Sequence, residues 1–271
     1  MKIVHKIEEG MNPKEILCTT YQMRDFFKQM ADGFFSELDV MNYIQHYKIA
    51  KLCKKDWKIL DICCGRSLML PLLRYHAKDM KEYVGIDISE ANIKNGYRDK
   101  KEYPFKVNFI IDNITELLKY YPEPYFDFII YTSAIEHMQK DAGVKSLDNA
   151  FSVLKNNGAL FLSCPNTYEK KDPYDCQYAA HLYEWDLNEI KDQLTKTGFI
   201  IEKIWGIVTK STEFKKYIHL LPSSEQEIIK GMMEYYPREF LLPYISILHP
   251  EFATEVALLC KKPVDGNKTL F

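Results

Sequence analysis

The sequence predicts an α/β protein built on a doubly wound, mostly parallel sheet. Short runs rich in Ile, Val, Phe and Leu recur through residues 56–165, and stretches with helical spacing separate them. Capping residues, Gly and Pro mark the joins. Strands buried on both faces read as continuous apolar runs of this kind, and their alternation with helices gives βαβ units.

Residues 1–55 read as helical. Val40, Ile44, Tyr47 and Ala50 recur at helical spacing and predict one apolar face. Upstream, Tyr21, Phe26, Phe27, Phe34 and Phe35 concentrate aromatic surface that suits either a core or a lid over a ligand. Strands are expected at 57–63, 83–88, 107–111, 126–131 and 159–164. Ser89 is the expected N-cap after the second strand, with Ile88 and Ile93 in staple positions. Leu147, Phe151 and Leu154 share a helix face that Gly158 would close as C-cap. Asp186 and Glu189 resemble a capping box, flanked by a Trp185–Ile190 staple. Leu187, Ile190 and Leu194 line that helix, Gly198 ends it, and a strand follows at 199–208. Ser224 and Glu227 suggest a further box inside 211–252, a mostly helical region cut by Pro222, Pro237, Pro243 and Pro250. A last strand is expected at 255–260. The expected organisation is an N-terminal helical lid (1–55), an α/β core (56–210 with 254–262), a helical substrate-cap insertion (211–253) and a tail (263–271).

Composition narrows the function. The chain has 271 residues with a net charge of −2, from 36 Lys+Arg against 38 Asp+Glu. That balance argues against a globally basic nucleic-acid binder. Hydrophobic residues at 46% supply a core and exclude wholesale disorder. No apolar run is long enough to span a membrane, and the first residues, MKIVHKIEEG, lack an apolar signal segment. Seven cysteines, an odd number with no C-x-x-C, form neither a disulfide framework nor a zinc site, and point to a reducing cytoplasm.

The stretch 58–73, KILDICCGRSLMLPLL, ends a buried strand on Asp61 and turns through Gly65 and Ser67 into a helix. Ligands of open α/β sheets bind beyond such strand ends, where a small-residue loop lets backbone N–H groups approach them. Asp87 ends the second strand and can accept hydrogen bonds from both hydroxyls of a ribose. Asp112 ends the third; it can accept from an adenine amino group or cap the helix that follows. Together these signals indicate a nucleoside cofactor. The loop has one glycine where a dinucleotide site wants G-x-G-x-x-G, which argues against NAD and for a cofactor without a diphosphate.

These residues resemble the class I S-adenosylmethionine-dependent methyltransferases over about 56–209 and the final strand. Asp61 and Gly65 match the first family motif, with Cys63 and Ser67 in place of its outer glycines. Asp87 matches the ribose acid and Asp112 the adenine-side acid. Residues 131–138 (YTSAIEHM), 154–166 (LKNNGALFLSCPN) and 181–185 (HLYEW) are similar to later family segments. The resemblance implies a Rossmann-like, seven-stranded sheet with an antiparallel last strand. It implies S-adenosylmethionine as cofactor, S-adenosylhomocysteine as product, and contacts from Tyr21, Asp61, Cys63, Gly65, Asp87, Ile88, Asp112, Asn113 and Tyr131. Tyr21 is assigned as a lid aromatic over the methionine end.

Methyl transfer from a sulfonium needs alignment above all, and a base where the acceptor is a hydroxyl or protonated amine. His137, after the fourth strand, and His181, before the staple, are the candidate bases, with packing or capping as the alternative for each. His219 is a weaker candidate, Glu136 reads as structural, and Arg66 either meets a carboxylate or is solvated. No spacing such as H-x-x-x-H suggests a metal. Basic clusters at 54–58 and 98–101 read as solvated surface. A small-molecule or sugar acceptor with an oxygen or nitrogen nucleophile is expected, with no nucleic-acid or membrane partner; RNA or protein substrates and a non-catalytic domain are the competing classes. A homodimer is compatible with the sequence.

Overall fold

We analysed a computed structural model that describes residues 28, 37–97, 103–166, 172–176, 178–209, 215 and 217–264. Seven strands form one sheet: β1 (Lys58–Ile62), β2 (Glu82–Asp87), β3 (Lys106–Ile111), β4 (Phe126–Thr132), β5 (Leu154–Pro165), β6 (Ile200–Val208) and β7 (Glu255–Lys261). Their spatial order is β3-β2-β1-β4-β5-β7-β6, with β7 antiparallel to both neighbours and the remaining pairs parallel. The winding reverses between β1 and β4, so a crevice is expected outside their carboxyl ends.

Alternate residues of each central strand feed opposite layers. Leu60, Ile62, Val84, Ile129 and Leu160 pack on one side with α4 (Lys140–Val153) and α5 (Leu187–Thr197). Ile59, Tyr83, Phe128, Ile130 and Phe161 pack on the other, with α1 (Glu37–Leu52), α2 (Leu70–His76), α6 (Ser223–Tyr235) and α7 (Arg238–Leu248). Burial on both faces is why these strands read as unbroken apolar runs. The edge strands β3 and β6 are more exposed, and β6 carries Glu202 and Lys203 in its middle, charges that discourage a further strand from pairing there. The short helix α3 (Glu90–Tyr97) crosses from β2 to β3.

Several local expectations shift. The buried face of α1 is Val40, Met41, Gln45, Ile49 and Ala50, whereas Tyr47 is exposed. Gln45 turns inward because Ser163 of β5 donates its hydroxyl to Gln45 Oε1 at 2.8 Å. Ser89 does cap α3, accepting from Asn92 N at 3.3 Å, but Ile88 is 73% exposed and forms no staple. α4 ends at Val153 and β5 begins at once, so Gly158 lies inside the strand instead of capping the helix; the turn there falls to Asn157 at φ +60°. Asp186 caps α5 by accepting from Asn188 N at 2.7 Å and Glu189 N at 2.9 Å. The reciprocal half of that box is absent, because Glu189 reaches Lys140 and Tyr183. Pro222 occupies the N-cap of α6, which places Ser224 within the helix.

α7 lies directly on β6. A Cβ at Gly206 would stand 2.1 Å from the Ser246 carbonyl oxygen, a backbone atom with no room to yield. Gly206→Ala is therefore expected to destabilise the fold by about 2 kcal/mol through overpacking, measured as a lowered denaturant midpoint with unchanged slope.

Candidate active site

The loop after β1 is shaped by three left-handed residues, Cys63 (φ +53°), Gly65 (φ +53°) and Ser67 (φ +57°). Two of them are not glycine, yet the turn forms. It is anchored to β2, where Cys64 N donates to Ile86 O at 3.1 Å and Gly65 N donates to Asp87 Oδ2 at 2.9 Å. Gly85 makes this approach possible, since a Cβ there would lie 2.7 Å from Cys64 Sγ. Among the described residues, no atom beyond the adjoining ones lies within 4 Å of a Cβ built on Gly65, so they leave the outer side of the loop open to a ligand.

Three carboxylates end the three neighbouring strands. Asp61 is buried beneath the loop and accepts from Tyr83 Oη at 2.6 Å. Burial pushes its pKa up to about 7, the Tyr83 hydroxyl pulling the other way. Asp87 accepts from Gly65 N and, at 2.8 Å, from Ser89 N. Asp112 accepts from Asn113 N and Tyr120 Oη, each at 2.7 Å, and the Tyr120 hydroxyl, then the Asn113 amide, holds it below the usual carboxylate range. Asn113, not Asp112, caps the following turn, accepting from Thr115 N at 3.0 Å.

A cavity of about 190 Å³ opens beside Asp61, Cys63 and Gly65. Its far wall comes from Asn42, Gln45 and His46 of α1 and from Thr132 and Ser133 after β4. Burial pulls the His46 imidazole down to about 4, which keeps it neutral. Sequence reading passed over this wall because it followed the apolar positions of α1; the polar positions between them were the available signal. Asp87 joins the cavity through Gly65, with exposed Ile88 next to it, and Asp112 N donates to Asp87 O at 3.2 Å. Asp61, Cys63, Gly65, Asp87, Ile88, Asp112 and Asn113 thus follow one continuous rim. Tyr131 does not join it: the residue is fully buried and its hydroxyl lies 2.9 Å from Ser146 Oγ, because its position in β4 faces the α4 layer. Tyr21 lies outside the described residues.

The two candidate bases come together. Glu136 and His137 sit on a single turn after β4, and the Glu136 carbonyl accepts from Leu182 N at 2.7 Å and Tyr183 N at 3.2 Å. That tether carries His181 to His137, with ring centroids 5.0 Å apart. His181 Nδ1 lies 2.5 Å from Glu184 Oε1, a buried partner three residues on whose role the sequence reading did not identify. Burial, with Glu255 and Glu184 nearby, pushes Glu136 well above the carboxylate range.

The comparisons agree with this geometry. Residues 53–234 match the family model described as a methyltransferase domain, and the chain belongs to that family. It is 25% identical over 162 residues to carboxy-S-adenosyl-L-methionine synthase of Campylobacter concisus (strain 13826), covering 58% of this chain and 67% of that protein. A SAM-dependent methyltransferase from Archaeoglobus fulgidus superposes with a TM-score of 0.55 at 20% identity, over 88% of this chain and 99% of that one. The [4+2]-cyclase SpnF superposes with a TM-score of 0.57 at 17% identity, over 83% and 82%. The fold is that of the class I methyltransferases, and the cofactor is S-adenosylmethionine. The open loop above Gly65, the acidic rim and the exposed apolar Ile88 fit a cationic amino-acid end and an adenosine.

Two outcomes follow from the loop. Ser67 is buried in the left-handed region, so Ser67→Gly is expected to raise stability by about 1 kcal/mol, read by denaturant titration. Asp61 holds a proton below about pH 7, and its ionised form is the one that favours a positively charged cofactor. S-adenosylmethionine affinity is therefore expected to rise from about pH 6 toward about pH 8, with Asp61→Asn flattening the dependence in calorimetry.

Proposed function

We propose that the chain transfers the methyl group of S-adenosylmethionine to an oxygen or nitrogen of a small molecule or sugar. The observation that carries this reading is the wall that α1 sets beside the cavity: Asn42, Gln45 and His46 stand across a half-open space of about 190 Å³ from Asp61 and the loop, a pocket on the scale of small-molecule groups and not a groove for a polymer. The helices of 211–253 pack on the sheet, and none of their described residues lines this cavity.

When bound, the cofactor supplies an electrophilic methyl group on a positively charged sulfur. Asp87 and Ile88 would hold the ribose and base, with Asp112 and Asn113 at the adenine edge. Asp61 and the Gly65 loop would hold the amino-acid end. The α1 wall excludes water and aligns the acceptor, which is where most of the rate enhancement of such a displacement arises. The His137–His181 pair, oriented by the Ala180 carbonyl and by Glu184, deals with the acceptor's proton.

The test is a methyl-transfer screen of metabolite fractions read by mass spectrometry. A methylated acceptor with S-adenosylhomocysteine supports the reading; a modified cofactor with no methylated acceptor would place the activity nearer to that of the Campylobacter relative. Asp87→Ala is expected to abolish measurable cofactor binding by calorimetry, because it removes the ribose acceptor and releases the Gly65 and Ser89 amides together. His181→Ala is expected to lower turnover by roughly 10²-fold at saturating cofactor while leaving cofactor affinity unchanged.

A further inference from the structure

We propose that Glu136, His137 and His181 form a binding site for a divalent first-row metal ion of the zinc type, beside the methyl-transfer cavity. One donor atom from each residue lies within 4.8 Å of the other two. Tetrahedral zinc with bonds of about 2.0–2.1 Å sets its ligand atoms about 3.4 Å apart, so a small inward rotation of the side chains closes the set.

Two independent features prepare these groups for a cation. The first is the state of the imidazoles. His137 Nδ1 is 2.9 Å from the Ala180 carbonyl oxygen, and His181 Nδ1 is 2.5 Å from Glu184 Oε1. A carbonyl oxygen only accepts and a carboxyl group can accept, so each ring has a partner placed to take a proton from Nδ1. Nε2 is then the nitrogen of each ring left for a ligand. Metal-bound histidines are held in this way, the second nitrogen donating to a carbonyl or carboxylate that fixes ring and tautomer. The second feature is Glu136. The residue is 1% exposed, and among the described residues its Oε2 has no hydrogen-bond partner. A buried polar oxygen in that condition is costly until a partner meets it, and a metal ion is a partner that a carboxyl group suits. Glu184 and Glu255 add further negative charge around it.

Two imidazoles and one carboxylate favour zinc, iron, cobalt or nickel over magnesium or calcium, which take oxygen. Three protein ligands leave at least one coordination position open. The site lies three residues beyond Ser133, which lines the cavity, and Glu136 acts electrostatically on Cys63 of the loop. A hydroxyl acceptor bound at the open position would lose its proton more readily, so the two histidines would act on the acceptor through the ion and not as bare bases. This role rests on the methyl-transfer reading; the binding site does not. The spacing of these ligands hid them in the sequence, since His181 is brought in by the backbone bonds to Glu136 across 45 residues.

The test uses the full chain, stripped with a chelator and titrated with Zn²⁺ against a chromophoric competitor. One equivalent is expected to bind, and Glu136→Gln, His137→Ala and His181→Ala are each expected to weaken it by about tenfold or more. His137 is exposed, so its alanine variant is the one least exposed to a folding defect. Co²⁺ in the same site should show ligand-field bands without strong sulfur charge transfer. Zn²⁺ affinity unchanged in His137→Ala, or a sulfur-ligated cobalt spectrum, overturns the site. S-adenosylhomocysteine affinity, measured in parallel, separates the two readings: zinc binding without it defeats the methyltransferase assignment alone, and the reverse defeats the metal alone.

Discussion

Asp87 holds the crevice together. One of its oxygens takes the Gly65 amide of the first loop, the other takes the Ser89 amide of the second, and its carbonyl takes the Asp112 amide of the third. Three crossover connections that approach the sheet from separate helices are thereby fixed relative to one carboxyl group. A charged acceptor with two oxygens is well suited to this, because hydrogen bonds to ionised groups are stronger than neutral ones and each oxygen accepts more than once. The remaining lone pairs on the same oxygens are those that a ribose would use. The group that sets the loop geometry is therefore also the group that would read the cofactor, and the two roles cannot be altered separately.

The sheet and its strand ends were legible in the sequence because burial on both faces writes a continuous apolar run, and because Asp61, Asp87 and Asp112 each terminate one. Boundaries failed where one residue type served two elements. Leu154 continues the apolar spacing of α4 and yet begins β5. Glu189 stands at capping-box spacing but is taken by Lys140 and Tyr183 from another part of the chain. Tyr131 shares a motif with residues of the rim, but the two-residue period of β4 turns it to the opposite layer. The meeting of His137 with His181 depends on packing between segments distant in sequence, for which local spacing holds no signal.

The two ends of the sheet differ in how well their polar groups are served. At the amino ends, Glu82 is met by Lys106, Asn108 and Tyr125, and Asp127 by Lys155 and the Lys58 amide. All of these pairs but Glu82–Tyr125 cross between neighbouring strands, and that one spans from β2 to the residue before β4; each closes with ordinary geometry. At the carboxyl ends stand three non-glycine residues in the left-handed region, Cys63, Ser67 and Ser133, a buried Asp61 whose pKa burial has pushed up to about 7, and Glu136 with an oxygen that no described residue meets. Left-handed residues also occur at the amino ends, at Asp56 and Asn157, so what sets the carboxyl rim apart is its buried acidic groups, one of them with an oxygen that no described residue meets.

That asymmetry has a direct physical reading. A fold gains nothing in stability from a buried carboxyl oxygen without a partner, so its place on the rim that carries the cofactor loop indicates a group held ready for something that binds there. The surroundings are also of one sign. Asp61, Glu136, Glu184 and Glu255 are all acidic, and His46, which burial keeps neutral, stands at the same rim. A cationic ligand relieves such a rim, whereas an anionic one would worsen it. A sulfonium with an ammonium group answers the side at Asp61; the side at Glu136 lies beyond a further turn of chain and asks for a positive charge of its own, which is why a metal ion accounts for it better than a second contact to the same cofactor.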